Sequence, residues 1–338
     1  VGQRGIGSSG PDTVCAGLAR VALDAPLDDA AVAHANAETG RACRAHWEAK
    51  GLDLAGLNVL EAAADVIAVA DALGYGQIAL VGNSFGSHWA MAILRAHGPR
   101  VARALLSGLE GPDHTYDMPS DVLAALRRIA AAAEASEQFA GHVPEGGLVA
   151  AFERVLQTLA VEPRLVELGP VKVVMDVPRL QTLALGYTAR ASSREGLRTW
   201  PSDILQLVRG DFEGAARTIV RSSALRLFPT ASFCMLDCSS GLSAARRERM
   251  VNDPARAIVG DLGAFYDAVC PVFDGDLGEA FRLEFETDVP TLLVHGTWDT
   301  STPVENALEL APHFHRSRLV LVEGGTHDAI REAFVWSP

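Results

Sequence analysis

A serine lies between two glycines in the segment GNSFG at residues 82–86. This G-x-S-x-G pattern is typical of a nucleophilic serine on a tight turn, where small neighbours let a strand and a helix approach closely. A serine hydroxyl is a weak nucleophile near neutral pH and needs a base. The pattern therefore predicts Ser84 as a nucleophile whose partners lie elsewhere in the chain.

Two later segments can supply the partners of Ser84. His327 ends the glycine-rich segment EGGTH, and Asp299 lies in the segment GTWDTSTP. The order serine, acid, histidine accompanies this kind of serine turn. We therefore predict His327 as the general base and Asp299 as the carboxylate that orients its ring. Glu110 and Asp113, which follow an earlier predicted strand, are rival acids for the same place.

Together these residues predict acyl transfer in two steps. Ser84 attacks a carbonyl carbon, His327 takes the proton, and the backbone N–H of Phe85 stabilises the oxyanion. Water then releases the acid from the acyl-enzyme. We expect no cofactor and no metal, because the five cysteines lack paired spacing with nearby histidines.

The elements that must position these residues follow a regular alternation. Apolar runs predict strands at 77–81, 104–108, 290–296 and 318–322, and helical spacing predicts helices at 59–73, 87–96, 304–310 and from about 328. This alternation indicates a mostly parallel sheet with crossover helices.

The middle of the chain has a different pattern. Helical spacing dominates at 123–135, 147–159 and 204–221, and 171–175 is the one strand-like run that we find there. Such a stretch is too long for a loop. We predict a helical cap at 113–282, inserted between core segments 1–112 and 283–338.

Composition excludes several classes of function. The chain has 338 residues and a net charge of −13, so a basic surface for nucleic acid or anionic lipid is not expected. No apolar run approaches the ~20 residues that span a bilayer. The expected partner is a peptide or small molecule, not nucleic acid or a membrane.

The segment QRGIGSSGP at 3–11 joins the serine, acid and histidine segments in a family resemblance. Together they resemble the prolyl iminopeptidase and tripeptidyl aminopeptidase (TAP-like) branch of the α/β-hydrolases. The resemblance implies an α/β-hydrolase fold with a large helical cap. It also implies a serine hydrolase acting on peptide N-termini, esters or related acyl compounds.

Secreted relatives of this kind carry disulfides. By that analogy we expect Cys15 to pair with Cys43 and Cys238 with Cys270, which leaves Cys234 free. Export to the periplasm or the medium is slightly favoured over the cytoplasm.

Two departures from the family pattern matter. Gly2 stands where the family usually has Asp, and the His-Gly-Gly-Pro oxyanion segment is not found in residues 1–338. In the family, the strands before the QRG segment include one beside the nucleophile strand, and an unpaired central strand would be costly. We therefore expect a separate N-terminal fragment of the same precursor to complete the fold, leaving this chain as a proteolytically processed product.

The substrate is set by the cap, and three functions stay open. An aminopeptidase needs acidic groups for the substrate ammonium, for which we name Glu110, Asp113 and Asp117. Tyr116 and Trp298, with Phe85, would suit a bulky apolar group and favour an esterase, lactonase or amidase. The third possibility is a catalytically silent ligand-binding protein on the same fold.

Overall fold

The computed structural model describes residues 2–7, 9–15, 22–139, 141–190, 194–225 and 229–335. Ser8, which belongs to the N-terminal family segment, lies outside the described residues. The strands are β1 (Ile78–Asn83), β2 (Val101–Ser107), β3 (Arg164–Leu168), β4 (Val171–Met175), β5 (Thr291–Gly296) and β6 (Ser317–Val322).

The helices divide between the two ends of the chain and its middle. Those outside the middle are α1 (Asp29–Ala49), α2 (Val59–Ala72), α3 (Phe85–His97), α14 (Val304–Leu310) and α15 (Ala329–Val335). Those between β2 and β5 are α4 (Pro119–Glu134), α5 (Gly147–Val161), α6 (Val177–Arg190), α7 (Arg194–Val208), α8 (Glu213–Leu225), α9 (Ala231–Ser240), α10 (Ala244–Val251), α11 (Arg256–Val259), α12 (Ala264–Val269) and α13 (Glu279–Arg282).

Four parallel strands form the main sheet in the order β1-β2-β5-β6. Apolar residues such as Leu80, Leu106 and Leu293 face a buried layer to which α2, α3 and α14 contribute. Because the strands are parallel, their carboxyl ends meet at one edge, where Ser84 follows β1 and the Asp299 and His327 loops follow β5 and β6. The expected α/β class, a mostly parallel sheet with crossover helices, is confirmed.

The insertion between β2 and β5 is mostly helical, as expected, but it contains an antiparallel hairpin of β3 and β4. We anticipated β4 alone. The single helix expected at 204–221 is wrong: α7 ends at Val208 and α8 begins at Glu213. The chain turns at Gly210, and the carboxylate of Asp211 accepts the N–H of Glu213 at the new helix start. The division at 113 and 282 into separate domains stays a prediction.

Two disulfides connect the described elements. Cys15 bonds to Cys43 on α1, and Cys238 on α9 bonds to Cys270 after α12. Cys234 is free and buried. This is the pairing that the resemblance implied.

The outer edge of β1 has no strand beside it in the part of the chain that the structure describes. Val81 on this strand is 74% exposed, and Leu292 on the same side of the sheet is 38% exposed. The expected N-terminal fragment would fit such an edge, and its presence stays a prediction. Among the described helices, none is long and apolar enough to span a membrane.

We predict that the unreduced, denatured protein exposes a single reactive thiol, that of Cys234. Replacing Cys238 and Cys270 together by serine should lower the free energy of unfolding by about 3–4 kcal/mol, because the closed loop spans 32 residues. Maleimide labelling with intact-mass analysis, followed by urea unfolding, measures both. Three or five labelled thiols without reductant would contradict the pairing.

Candidate active site

Ser84 lies at the turn between β1 and α3 in a conformation that few residues adopt. Its φ is 58° and its ψ is −133°, and it is the one non-glycine residue with positive φ among those described. Such backbone strain persists only where surrounding bonds enforce it, and it is common at functional sites. The bonds here are to two serines: the N–H of Ser84 donates to the carbonyl of Ser107 at 3.0 Å, and the Ser87 hydroxyl donates to the carbonyl of Ser84 at 2.7 Å.

Close backbone packing explains the first glycine of the motif. A Cβ on Gly82 would overlap the carbonyl oxygen of Gly86 and lie 2.7 Å from its carbonyl carbon. Both atoms belong to backbone at the start of α3, so neither can move aside easily. The turn that lifts Ser84 above the sheet therefore requires Gly82.

The His327 ring is held by Asp299. Its Nδ1–H donates to Asp299 Oδ2 at 2.9 Å and lies 3.2 Å from the hydroxyl oxygen of Thr302. Asp299 is fully buried and accepts three further bonds, from the N–H groups of Ser301 and Thr302 at 2.9 Å and from the Thr302 hydroxyl at 2.8 Å. With Nδ1 as donor, Nε2 is the free nitrogen that can accept a proton.

Opposing effects set the pKa values of this pair. Burial alone would raise the pKa of Asp299, but the hydrogen bond from His327 and the charge of that ring hold it below its usual value. Burial works against a charged His327, yet the hydrogen bond to Asp299 and its charge raise the pKa of the imidazole. The pair therefore stabilises the imidazolium form of His327.

Gly108, directly after β2, is where the histidine and the serine meet. Its φ is 53°, and a Cβ there would lie 3.0 Å from Cε1 and 3.2 Å from Nδ1 of His327. The same point is 3.3 Å from the backbone nitrogen of Ser84. The structure thus brings Ser84, His327 and Asp299 to one edge of the sheet, from three distant segments.

His295 and Thr302 support the site, and sequence reasoning overlooked them both. Nδ1 of the buried His295 accepts the N–H of Leu109 at 3.2 Å, so its Nε2–H donates to the carbonyl of Thr302 at 2.7 Å. Burial lowers the pKa of His295, which favours this neutral form. The ring thereby joins the loop after β2 to the Asp299 loop. The position of His295 at the end of β5, four residues before Asp299, is the sequence signal that could have identified it as a site residue.

Three carboxylates lie near the site in buried surroundings. Burial, together with the charges of Asp237 and Asp117, raises the pKa of Glu110 well above its usual value. Burial and the charge of Asp299 do the same for Asp117. Burial raises the pKa of Asp237 to about 7, although the Tyr266 hydroxyl donates to it at 2.8 Å. In the described residues, no hydrogen bond or ion pair reaches the carboxylates of Glu110 and Asp117, and no group of residues is arranged to hold a metal ion.

Asp113, the other acid named from the sequence, has a different role. Its Oδ1 accepts the N–H of Ser243 and its Oδ2 accepts the Ser243 hydroxyl, both at 2.6 Å. Ser243 is the N-cap of α10, so Asp113 anchors the start of that helix. The structure brings Asp299, rather than Asp113 or Glu110, to the ring of His327.

The aromatic residues named from the sequence are spread around the site. Tyr116 is buried and stacks on Tyr266 at 4.2 Å between ring centroids. Trp298 is half-buried against the apolar core of the insertion, and its ring covers Gly324. Phe85 is the first residue of α3, directly after Ser84, and its ring packs against the apolar core to which α2, α3 and α14 contribute. A role of Tyr116 or Trp298 in substrate binding stays a prediction.

Comparison with known proteins places one part of the chain in a family context. Residues 274–333, which include Asp299 and His327, match the model of a family described as TAP-like protein. This match confirms the TAP-like resemblance over that segment. No curated protein matches the sequence.

Several solved structures are similar to the chain at low identity. One is an epoxide hydrolase of the α/β-hydrolase superfamily from hot-environment metagenomes (15% identity, 83% of this chain, 73% of the other, TM-score 0.33). Others are a thermophilic esterase from Thermogutta terrifontis (15%, 82% and 69%, 0.32) and an esterase from Exiguobacterium antarcticum (16%, 83% and 72%, 0.33).

We predict that Gly82→Ala lowers the free energy of unfolding by about 1–3 kcal/mol, because the added methyl group meets unyielding backbone. Gly76→Ala is the matched control: it precedes the same strand, and no atom lies within 4 Å of its added Cβ. Urea unfolding followed by circular dichroism measures both. Equal stabilities of the two variants would contradict the close approach of β1 and α3.

Proposed function

We propose that this protein is a serine hydrolase with Ser84 as nucleophile, His327 as general base and Asp299 as the orienting acid. The observation that carries the proposal is the convergence beside Gly108 of the strained Ser84 turn with a histidine hydrogen-bonded to a fully buried carboxylate. The TAP-like match over residues 274–333 is in keeping with this chemistry.

The residues divide the reaction between them. Ser84 Oγ attacks the substrate carbonyl while Nε2 of His327 takes its proton, and Asp299 stabilises the resulting imidazolium through Nδ1. The Phe85 N–H stabilises the tetrahedral oxyanion. His327 then passes the proton to the leaving group. Water then attacks the acyl carbon while His327 takes its proton, and His327 returns that proton to Ser84 Oγ as the acid leaves. No step of this sequence uses a cofactor.

We further propose that the substrate carries a free ammonium group, which makes the enzyme an aminopeptidase. Glu110 is nine-tenths buried, and its carboxylate has no cationic partner among the described residues. A buried carboxylate without a partner is destabilised unless it binds a proton or a cation. An α-amino group near Glu110, Asp117 and Asp237 would supply that charge.

We predict that a fluorophosphonate probe labels Ser84 and that the labelling rate rises with pH. The base must be neutral to accept the serine proton, and the pKa of His327 is raised above its usual 6.5, so the rate should be lost as pH falls through that higher value. Ser84→Ala should abolish labelling, and Asp299→Asn should slow it strongly because the ring loses its orienting acceptor. Intact-mass spectrometry across a pH series measures the rates. An unlabelled Ser84 would favour the silent binding protein.

We predict that Glu110→Gln selectively impairs hydrolysis of substrates with a free amino group. Losing a hydrogen bond to a charged group corresponds to a fall in kcat/KM of about 10- to 100-fold for an aminoacyl p-nitroanilide. The N-acetylated anilide and p-nitrophenyl acetate should be affected little. The control is Glu137→Gln, which changes an exposed glutamate.

Two outcomes contradict the ammonium site. An equal loss on all three substrates would mean that Glu110 supports the structure. An unchanged rate on the aminoacyl substrate, together with faster turnover of esters or lactones, would favour the esterase alternative.

A further inference from the structure

Arg128 reaches from helix α4 of the insertion to both ends of the loop that carries Asp299. Its Nε–H donates to the carbonyl of Thr297 at 2.8 Å. Its two terminal nitrogens donate to the two carboxylate oxygens of Glu305, at 2.8 and 3.0 Å. Thr297 lies two residues before Asp299, and Glu305 lies in the first turn of α14 beyond it. One side chain therefore spans the whole acid loop.

Thr297 also joins the acid loop to the histidine loop. Its N–H donates to the carbonyl of Val322 at 3.1 Å, and its hydroxyl accepts the N–H of Gly324 at 2.9 Å. The next residue, Trp298, donates its N–H to the carbonyl of Gly325 at 2.8 Å. A shift of Thr297 would therefore move both the segment that carries Asp299 and the segment that carries His327.

The helix that supplies Arg128 is itself firmly placed. Val122, Leu126 and Ile129 of α4 are buried in the apolar core of the insertion, and Trp298 packs against that same core. The guanidinium therefore fixes the acid loop relative to this core through three hydrogen bonds. Two of them form the bidentate pair with a carboxylate that defines orientation best.

We infer that Arg128 is a positioning residue for the reaction, so that the helical insertion takes part in aligning the Asp299–His327 pair. This inference rests on the proposed function. The Arg128 and Glu305 side chains are 32% and 29% exposed, so water screens their attraction and the pair contributes little to stability. Its effect is expected in the rate, because small misplacements of reacting groups are costly.

The test compares Arg128→Met with Arg127→Met, which changes an exposed arginine one position earlier on α4. With p-nitrophenyl acetate, which needs no ammonium site, kcat should fall about 10- to 100-fold in Arg128→Met, with little change in KM. Arg128→Lys should restore part of the rate, since a single ammonium can replace one of the three bonds. The Arg127→Met variant should match the wild type.

A charge-balanced double variant, Arg128→Met with Glu305→Gln, separates geometry from charge. It should be as slow as Arg128→Met, and the acidic limb of its kcat/KM profile should move to lower pH, because a loosened Asp299 raises the pKa of His327 less. A purely structural role would change unfolding without moving that limb. Equal rates for Arg128→Met and Arg127→Met would overturn the inference. An inactive wild type with unlabelled Ser84 would instead overturn the proposed function.

Discussion

The burial of one carboxylate determines much of this site. Asp299 is removed from water, and an unpaired buried charge would cost several kcal/mol. It is stabilised by the four hydrogen bonds from Ser301, Thr302 and His327, at 2.8–2.9 Å. Three of these bonds come from its own loop, so they fix the path of the chain. The fourth is left for His327, whose ring orientation follows from the need to satisfy Asp299.

Hydrogen bonds to the backbone likewise fix the turn that carries Ser84. Ser84 keeps a positive φ because Ser107 and Ser87 bond its backbone on either side. The hydroxyl of Ser87 also accepts the N–H of Glu110, which continues this network into the loop that begins with Gly108. The turn that presents Ser84 and the loop that carries Glu110 are therefore ordered together, and a change at Ser87 would disturb both.

Local signals were sufficient to predict most of the sheet. The bounds of strands β1 and β6 and of helix α14 were predicted to within one or two residues, because each element combines a short apolar run with a clear stop. Strand β3 was missed because its sequence RLVEL, with two charged residues and two adjacent apolar ones, does not alternate regularly. The break between α7 and α8 depends on one turn. Arg128 could not have been found, since its partners Thr297 and Glu305 lie more than 160 residues away.

Acidic residues show most clearly what sequence alone leaves open. Asp113, Glu110 and Asp299 all follow strands of the sheet, so their type and spacing made each a candidate for the same place. Their partners separate them: Asp113 bonds to Ser243 at the start of α10, Asp299 bonds to His327, and the carboxylate of Glu110 has no hydrogen-bond or ion-pair partner among the described residues. A carboxylate that already accepts hydrogen bonds at a helix cap has little capacity left for a ligand. A buried carboxylate without a cationic partner is the one that a cationic ligand would stabilise most. Among these three acids, Glu110 is therefore the one on which the proposal of an ammonium site rests.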